Sequence, residues 1–329
     1  MANIQTYFED FHEVIRADYD MNSTLREKRD IVVDLIKARL KEGGHLTCDQ
    51  LLQGSYRMGT GVKPIGDLEY DIDFGLRFWI KDTDYAAAEV RKWVLEAVDG
   101  HTDSVEDKAP CIRVGYSKGF HLDLVMYAAW TDDVRQEQFR LAHRDNGWRR
   151  ADPGELLEYV KNGRKRFEGT EDGKTKTDQL RRIVRYLKRW GDFAIPFESD
   201  ARPAGIAYVL YGVQHLENKR FWDGGPDDRT ALYNLSLLAA NTYGRVSVFK
   251  PVPEYEDVFG RLSDDEMVAL KERFAALADS LAKAGQETDP VKACEILQVV
   301  FGPEFPVPST EQTARKTTAP AIVTSASSA

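Results

Sequence analysis

The sequence predicts an α+β protein, a strand-bearing N-terminal part followed by a helical one, of a length that fits one large domain or two modest lobes. Three observations carry this. Residues 71–80, D-I-D-F-G-L-R-F-W-I, alternate strictly: Ile72, Phe74, Leu76, Phe78 and Ile80 point one way, and Asp71, Asp73, Gly75, Arg77 and Trp79 the other. Two more strand patterns follow at 111–116 and 121–128, joined by a short turn. From about Asp132 the character changes, and the later segments carry apolar residues at helical spacing, most clearly Leu180, Ile183, Val184 and Leu187. The expected division is 1–150 for the first lobe with its N-terminal helices, 151–305 for the helical lobe and 306–329 for a disordered tail rich in Ser, Thr and Ala.

In chain order, Ile4, Tyr7, Phe8, Phe11, Val14 and Ile15 predict a first helix. A second begins after Ser23 or Thr24, where Thr24 and Glu27 form a capping box, and Gly43-Gly44 ends it. Its expected apolar face is Leu25, Val32, Leu35, Ile36 and Leu40. Residues 82–97 predict another helix, and a helix at 154–162 starts behind Pro153. The run R-F-E-G-T-E-D-G-K-T-K-T (166–177) predicts a mobile loop. Residues 203–216, 231–240 and 264–300 predict further helices, with W-D-G-G-P-D-D as a turn.

Composition narrows the function classes. Of 329 residues 42% are hydrophobic and 30% charged, as in ordinary globular proteins. A net charge of −9 disfavours obligate nucleic-acid binding, where a basic footprint is expected. Cys48, Cys111 and Cys294 are far apart and show no zinc spacing, and the six histidines form no metal-binding motif. No signal peptide and no transmembrane helix are expected, which fits a cytoplasmic protein without a membrane partner.

Two aspartates at i and i+2 on one face of a half-buried strand suit a divalent cation such as Mg²⁺. With 54 acidic residues in the chain, a D-x-D pair arises easily by chance, so it needs a phosphate grip and a third carboxylate. Asp123 is a lone acid in the apolar strand H-L-D-L-V-M-Y and wants a partner. A cation shared with Asp71 and Asp73 would supply one and is the favoured partner; a salt bridge to Arg113 is the alternative. Arg181, Arg185 and Lys188 recur on a second face of the 180–190 helix, as a solvated cationic face or a phosphate grip. G-Y-S-K-G at 115–119 matches the hydrolase nucleophile motif, but a strand rather than a helix follows it, so it reads as a hairpin turn.

Gln53-Gly54-Ser55, Gly59-Thr60, Asp71-Ile72-Asp73 and Asp123 in H-L-D-L-V-M-Y-A resemble the nucleotidyltransferase superfamily of DNA polymerase beta. With R-R-I-V-R-Y-L-K-R-W, R-P-A-G-I-A and V-V-F-G-P-E-F-P, the chain looks most like the cGAS/DncV-like nucleotidyltransferases (CD-NTases), in particular the bacterial dinucleotide cyclases, over roughly residues 1 to 305. The resemblance implies a bilobed polymerase-beta-like fold, with a mixed β-sheet catalytic lobe facing an α-helical lobe and the N-terminal helices along the sheet's back. It implies two Mg²⁺ ions, replaceable by Mn²⁺, on Asp71, Asp73 and Asp123. It implies a triphosphate held by Gly54 and Ser55 with Gln53 and Thr60, and phosphate contacts from Lys188 and, more weakly, Arg113. Where relatives often carry a Ser after the proline of the R-P-A-G segment, this chain has Ala204.

The function so implied is synthesis of a cyclic oligonucleotide, a dinucleotide first of all, from ATP and/or GTP, with pyrophosphate release. The setting would be antiphage (CBASS-type) signalling in a bacterial cytoplasm, with a product-sensing effector protein as partner and conjugation of the C-terminus by a companion ligase as a further option. The alternatives are a nucleotidyltransferase modifying RNA, protein or a small molecule, and a non-catalytic nucleotide-binding regulator.

Overall fold

A computed structural model describes residues 2–17, 23–66, 70–116, 120–196 and 201–309, apart from the side chains at 23–26, 28, 70 and 71. One mixed sheet of seven strands forms the first lobe: β1 (Asp49–Leu52), β2 (Tyr70–Trp79), β3 (Ser104–Asp107), β4 (Ile112–Tyr116), β5 (Phe120–Thr131), β6 (Glu137–His143) and β7 (Gly147–Arg150). The order is β1-β2-β5-β4-β3, with β6 pairing β5 and β7 pairing β6. β2 and β5 run parallel over ten paired residues, and the other described ladders are antiparallel. A parallel pair needs a crossover, and here it runs through helix α4 (Ala87–Val98), β3 and β4.

The alternation in β2 sorts its side chains as expected. Ile72, Phe74, Leu76, Phe78 and Ile80 are buried in one cluster with Leu122, Leu124 and Met126 of β5. Helices α2 (Ser23–Glu42) and α4 (Ala87–Val98) cover that face with Val32, Val33, Ile36, Leu40, Val90 and Val94. Burying each such side chain contributes about 1.5–3 kcal/mol. The opposite face is left to Asp73, Asp123 and Tyr127. The expected helix at 82–97 starts only at Ala87, because residues 81–86 form turns in which Asp84 accepts the Lys81 N–H at 2.8 Å. The Thr24 cap and the turn at 117–119 lie outside the described residues.

The helical lobe comprises α5 (Pro153–Arg164), α6 (Gln179–Ala194), α7 (Gly205–His215), α8 (Asp228–Asn241), α9 (Asp264–Gln286) and α10 (Pro290–Phe301). Ser263 caps α9 through a full capping box, and Asp289 before Pro290 starts α10, so 264–300 is two helices. The N-terminal helices part company. α2 lies on the sheet as expected. The first, α1 (Gln5–Ile15), instead buries Ile4, Phe8, Phe11 and Ile15 in the helical core. Phe11 stacks on Tyr186 and packs against Phe301 and Phe305 of the F-G-P-E-F-P ending. Val14, expected on the same stripe, is 44% exposed; the buried stripe is the narrower 4-8-11-15 set. Of the expected tail, Val307 packs against the helical core and Pro308 is buried, while 310–329 lie outside the described residues.

Helix α6 is buried almost all round. Leu180, Ile183, Val184 and Leu187 form the predicted stripe, but Arg182 and Arg189 are also fully buried. Arg182 forks onto Asp228, both bonds 2.7 Å, and donates to the Thr170 carbonyl at 2.8 Å. Its loop partners correct the expectation of a mobile segment at 166–177. Thr170, Asp172 and Thr177 are buried, and Asp172 accepts the N–H groups of Lys174 at 3.0 Å and Thr177 at 3.1 Å. A polar loop can pack this way when each donor and acceptor finds a partner. No helix among the described residues is long and apolar enough to cross a membrane.

Candidate active site

The sheet's open face and the helical lobe enclose a cleft of about 970 Å³. Gln53, Gly54, Ser55, Asp73, Arg113 and Lys188, all singled out from the sequence, line it. Thr60 does not: its side chain is only 2% exposed, and its contribution is its carbonyl.

Gln53-Gly54-Ser55 opens a short helix, α3 (Gly54–Met58), behind β1. Gly54 has φ +66°, and a Cβ built on it would sit 2.1 Å from Asp73 Oδ2. Only glycine allows both the left-handed backbone and this approach to the carboxylate. Gly59 closes the helix in the left-handed region, and the Thr60 N–H donates to the Ser55 carbonyl at 3.0 Å. The Gln53 side-chain oxygen accepts the Tyr127 hydroxyl at 2.9 Å, tying the turn to β5. Burial pushes the Tyr127 phenol well above its ordinary range.

Register brings the acids together. In the parallel ladder Asp73 lies opposite Asp123, and Asp71 opposite His121. Paired residues in such a ladder share a face, so two carboxylates stand side by side below Gly54. Asp123 is 8% exposed and held by a two-pronged ion pair, with Arg113 Nε to Oδ1 at 2.7 Å and Nη2 to Oδ2 at 2.6 Å. Of the two partners the sequence left open, the arginine is the one observed; Arg113 lies opposite Asp123 on β4 as well. The side chain of Asp71 is outside the described set, and no cluster of three or more metal-ligand residues occurs among the described residues. The donor chemistry still fits Mg²⁺: adjacent hard carboxylate oxygens on paired strands, with a glycine backbone packed close against Asp73.

The facing wall is α6, whose cations are not a solvated face. Lys188 Nζ donates to the Thr60 carbonyl at 3.0 Å, Arg185 Nε to the Gly61 carbonyl at 2.9 Å, and Arg189 Nη2 to the Lys63 carbonyl at 2.8 Å. Three cationic side chains thus fasten the segment after α3 to the helical lobe. Arg185 Nη1 also donates to His12 Nε2 at 2.8 Å. Burial and the neighbouring Arg185 push His12 down to about 2, so its imidazole is a neutral acceptor. Ala204, at the start of α7, lines the cleft with no side-chain cap on the helix. Sequence reading missed Arg57, Lys63, Asp192, Arg202, Lys250 and Glu254 of the lining. Only Arg202, the first residue of the R-P-A-G segment, lay within a motif.

Residues 49–127 match the family "Cyclic GMP-AMP synthase DncV-like, nucleotidyltransferase domain". The chain is 26% identical over 201 residues, 58% of its length, to a cyclic GMP-AMP synthase of Escherichia albertii. It is 24% identical over 131 residues, 38% of its length, to a c-di-GMP synthase of Roseivirga ehrenbergii. These matches span 42% and 35% of those two relatives, less than half of either. The fold is similar to that of Vibrio cholerae DncV in complex with the linear intermediate 5′ pppA(3′,5′)pG. There the TM-score is 0.74 at 16% identity, covering 94% of this chain and 97% of that one. It is also similar to the Bradyrhizobium diazoefficiens CD-NTase CdnG in complex with GTP, with TM-score 0.68 at 15% identity, covering 96% and 98%. Residues 49–127 thus match a DncV-like nucleotidyltransferase domain, in a chain whose fold is similar to those of DncV and CdnG.

Proposed function

We propose that this chain joins nucleoside triphosphates into a cyclic oligonucleotide, foremost a cyclic dinucleotide, and releases pyrophosphate. The observation that supports this most is Asp73 and Asp123 in register on parallel strands beneath Gly54, facing Lys188. Asp71, Asp73 and Asp123 would hold two Mg²⁺ ions, or Mn²⁺, which when bound stabilise the charge on the attacking and leaving oxygens. Gly54 and Ser55 would offer backbone N–H groups, and Ser55 its hydroxyl, to the donor triphosphate, with Gln53 as the fixed edge of that turn. Lys188 would move from the Thr60 carbonyl to a phosphate oxygen, replacing a neutral acceptor with a charged one. Arg113 would keep Asp123 oriented and add positive charge. At Ala204, the first N–H groups of α7 would take the place of the missing hydroxyl.

The same reading makes 1–150 and 151–305 the catalytic and helical domains, with α1 crossing to the latter. It places the enzyme in a bacterial cytoplasm, its product read by an effector protein in antiphage defence, with the C-terminal residues open to conjugation. The test is direct. Purified chain with ATP, GTP, CTP, UTP and Mg²⁺ should release pyrophosphate and yield a phosphatase-resistant product whose mass is that of a cyclic oligonucleotide. Phosphatase-sensitive linear chains, or transfer to an added RNA or protein, would contradict the proposal.

A further inference from the structure

The segment between α3 and β2 is gripped by two helices of the helical core. Gly61, Val62, Lys63 and Pro64 line the cleft. On one side stands the end of α1. The Lys63 N–H donates to the Ile15 carbonyl at 2.7 Å, the Ala17 N–H donates to the Gly61 carbonyl at 3.2 Å, and Arg16 forms an antiparallel bridge with Val62. Lys63 Nζ reaches back to the Val14 carbonyl at 2.7 Å. On the other side stands α6. There Arg185 Nε donates to the same Gly61 carbonyl at 2.9 Å, and Nη1 donates to His12 Nε2 of α1 at 2.8 Å. One guanidinium thus joins α1, α6 and the cleft segment.

Arg185 is a poor choice for stability alone. It is 5% exposed, and among the described residues no carboxylate pairs with it; the two acceptors just named are neutral. Its neighbours on α6 differ: Arg182 faces Asp228 at 2.7 Å, and Arg189 faces Glu304 at 3.1 Å. Leaving water is costly for a cation unless an opposite charge offsets the loss. Burial, with the nearby charges of Arg181 and Arg16, brings the Arg185 guanidinium down to about 9. A charge kept at such cost is expected where it serves a site. The site follows from the bonds. Arg185 does not line the cleft, whereas Gly61 does, so it acts through the backbone. Gly61 follows Thr60, whose N–H donates to the Ser55 carbonyl and whose carbonyl receives Lys188. Fixing Gly61 therefore fixes the peptide beside both the Ser55 turn and Lys188. His12 sets the guanidinium in turn. With Nε2 accepting, its proton lies on Nδ1, which faces Thr175 Oγ1 at 3.4 Å.

Resting on the reading of the cleft as a nucleotide site, we propose that Arg185, oriented by His12, is a positioning residue for nucleoside triphosphate, holding Gly61 so that the Ser55 turn and Lys188 meet the phosphates together. The test uses the full chain with Mg²⁺. It measures Kd for the α,β-methylene analogues of ATP and GTP, and KM and kcat separately for the triphosphates themselves. Arg185→Gln should raise Kd and KM about tenfold while kcat changes less than about threefold, because the strand register that places the acids is untouched. His12→Leu, which leaves the guanidinium without its acceptor, should raise Kd and KM about fivefold, and His12→Gln, which supplies one again, should return both to wild type. A merely structural role would lower the folded fraction, and with it kcat, at unchanged KM. That pattern in Arg185→Gln would overturn the proposal, as would a His12→Gln variant no better than His12→Leu. Wild type that binds the analogues but releases no pyrophosphate from the triphosphates would overturn the cyclase reading, and the Kd ratios would still decide for or against Arg185. Wild type that binds neither analogue would overturn both.

Discussion

The two walls of the cleft hold their charges by different means. On the sheet side, Asp73 and Asp123 are placed by strand register and by one close glycine. On the helical side, Lys188, Arg185 and Arg189 are placed by hydrogen bonds to backbone carbonyls, and Arg182 by a buried carboxylate. The first arrangement is rigid because the ladder cannot slip without turning every apolar side chain outward. The second is rigid except at its edge. Arg182 and Arg189 are fully buried, whereas Lys188 lies at the cleft, donating to the Thr60 carbonyl. The comparison teaches that one wall fixes geometry while the other can trade a contact for a ligand.

The largest effect should come from the buried side of the helical wall. Arg182→Ala leaves Asp228 buried without its two-pronged partner and should cost about 3–5 kcal/mol, read in urea or thermal unfolding. A loss below 1 kcal/mol would show that the helical wall does not depend on this pair. On the sheet wall, Gly54→Ala brings a left-handed alanine against Asp73 and should cost about 1–3 kcal/mol and reduce turnover with it. Wild-type turnover in that variant would remove the glycine from the account. Lys188→Ala should raise the KM for nucleoside triphosphate about tenfold and cost about 1 kcal/mol of stability, the bond to the Thr60 carbonyl being lost with it. An unchanged KM, or a large drop in melting temperature, would make this lysine a purely structural residue.

The smallest effect is a pH slope. His12 is fully buried at about 2 when folded and returns to 6.5 when unfolded, so the unfolded chain binds the extra proton. Its contribution is complete above pH 6.5 and is lost as pH falls below it, by up to about 1.4 kcal/mol per pH unit. His12→Gln, keeping an acceptor for Arg185, should flatten the stability curve between pH 6.5 and 5. A curve of unchanged slope would show that this histidine does not set it.

Much of the sheet wall was legible in the sequence because a two-residue period is local. Asp71 and Asp73 were on one face by counting, and Asp123 stood out as an acid among apolar neighbours. What counting could not give was the pairing of Asp73 with Asp123, or Arg113 as the observed partner of Asp123, since both depend on strands brought together across the fold. The helical wall was read less well for the same reason. Arg182 drew no notice in the sequence, because its reason to be buried, Asp228, lies 46 residues away. The polar run at 166–177 looked loose until Asp172 and Thr170 were seen with their donors and acceptors.

The account's central claim is that the aspartates of the sheet wall carry the chemistry. The measurement that tests it most directly is pyrophosphate release by Asp71→Asn with Asp73→Asn, alongside the melting temperature. The account predicts a loss of about 10³-fold or more with the melting temperature preserved; turnover at the wild-type rate by the folded double variant would contradict it.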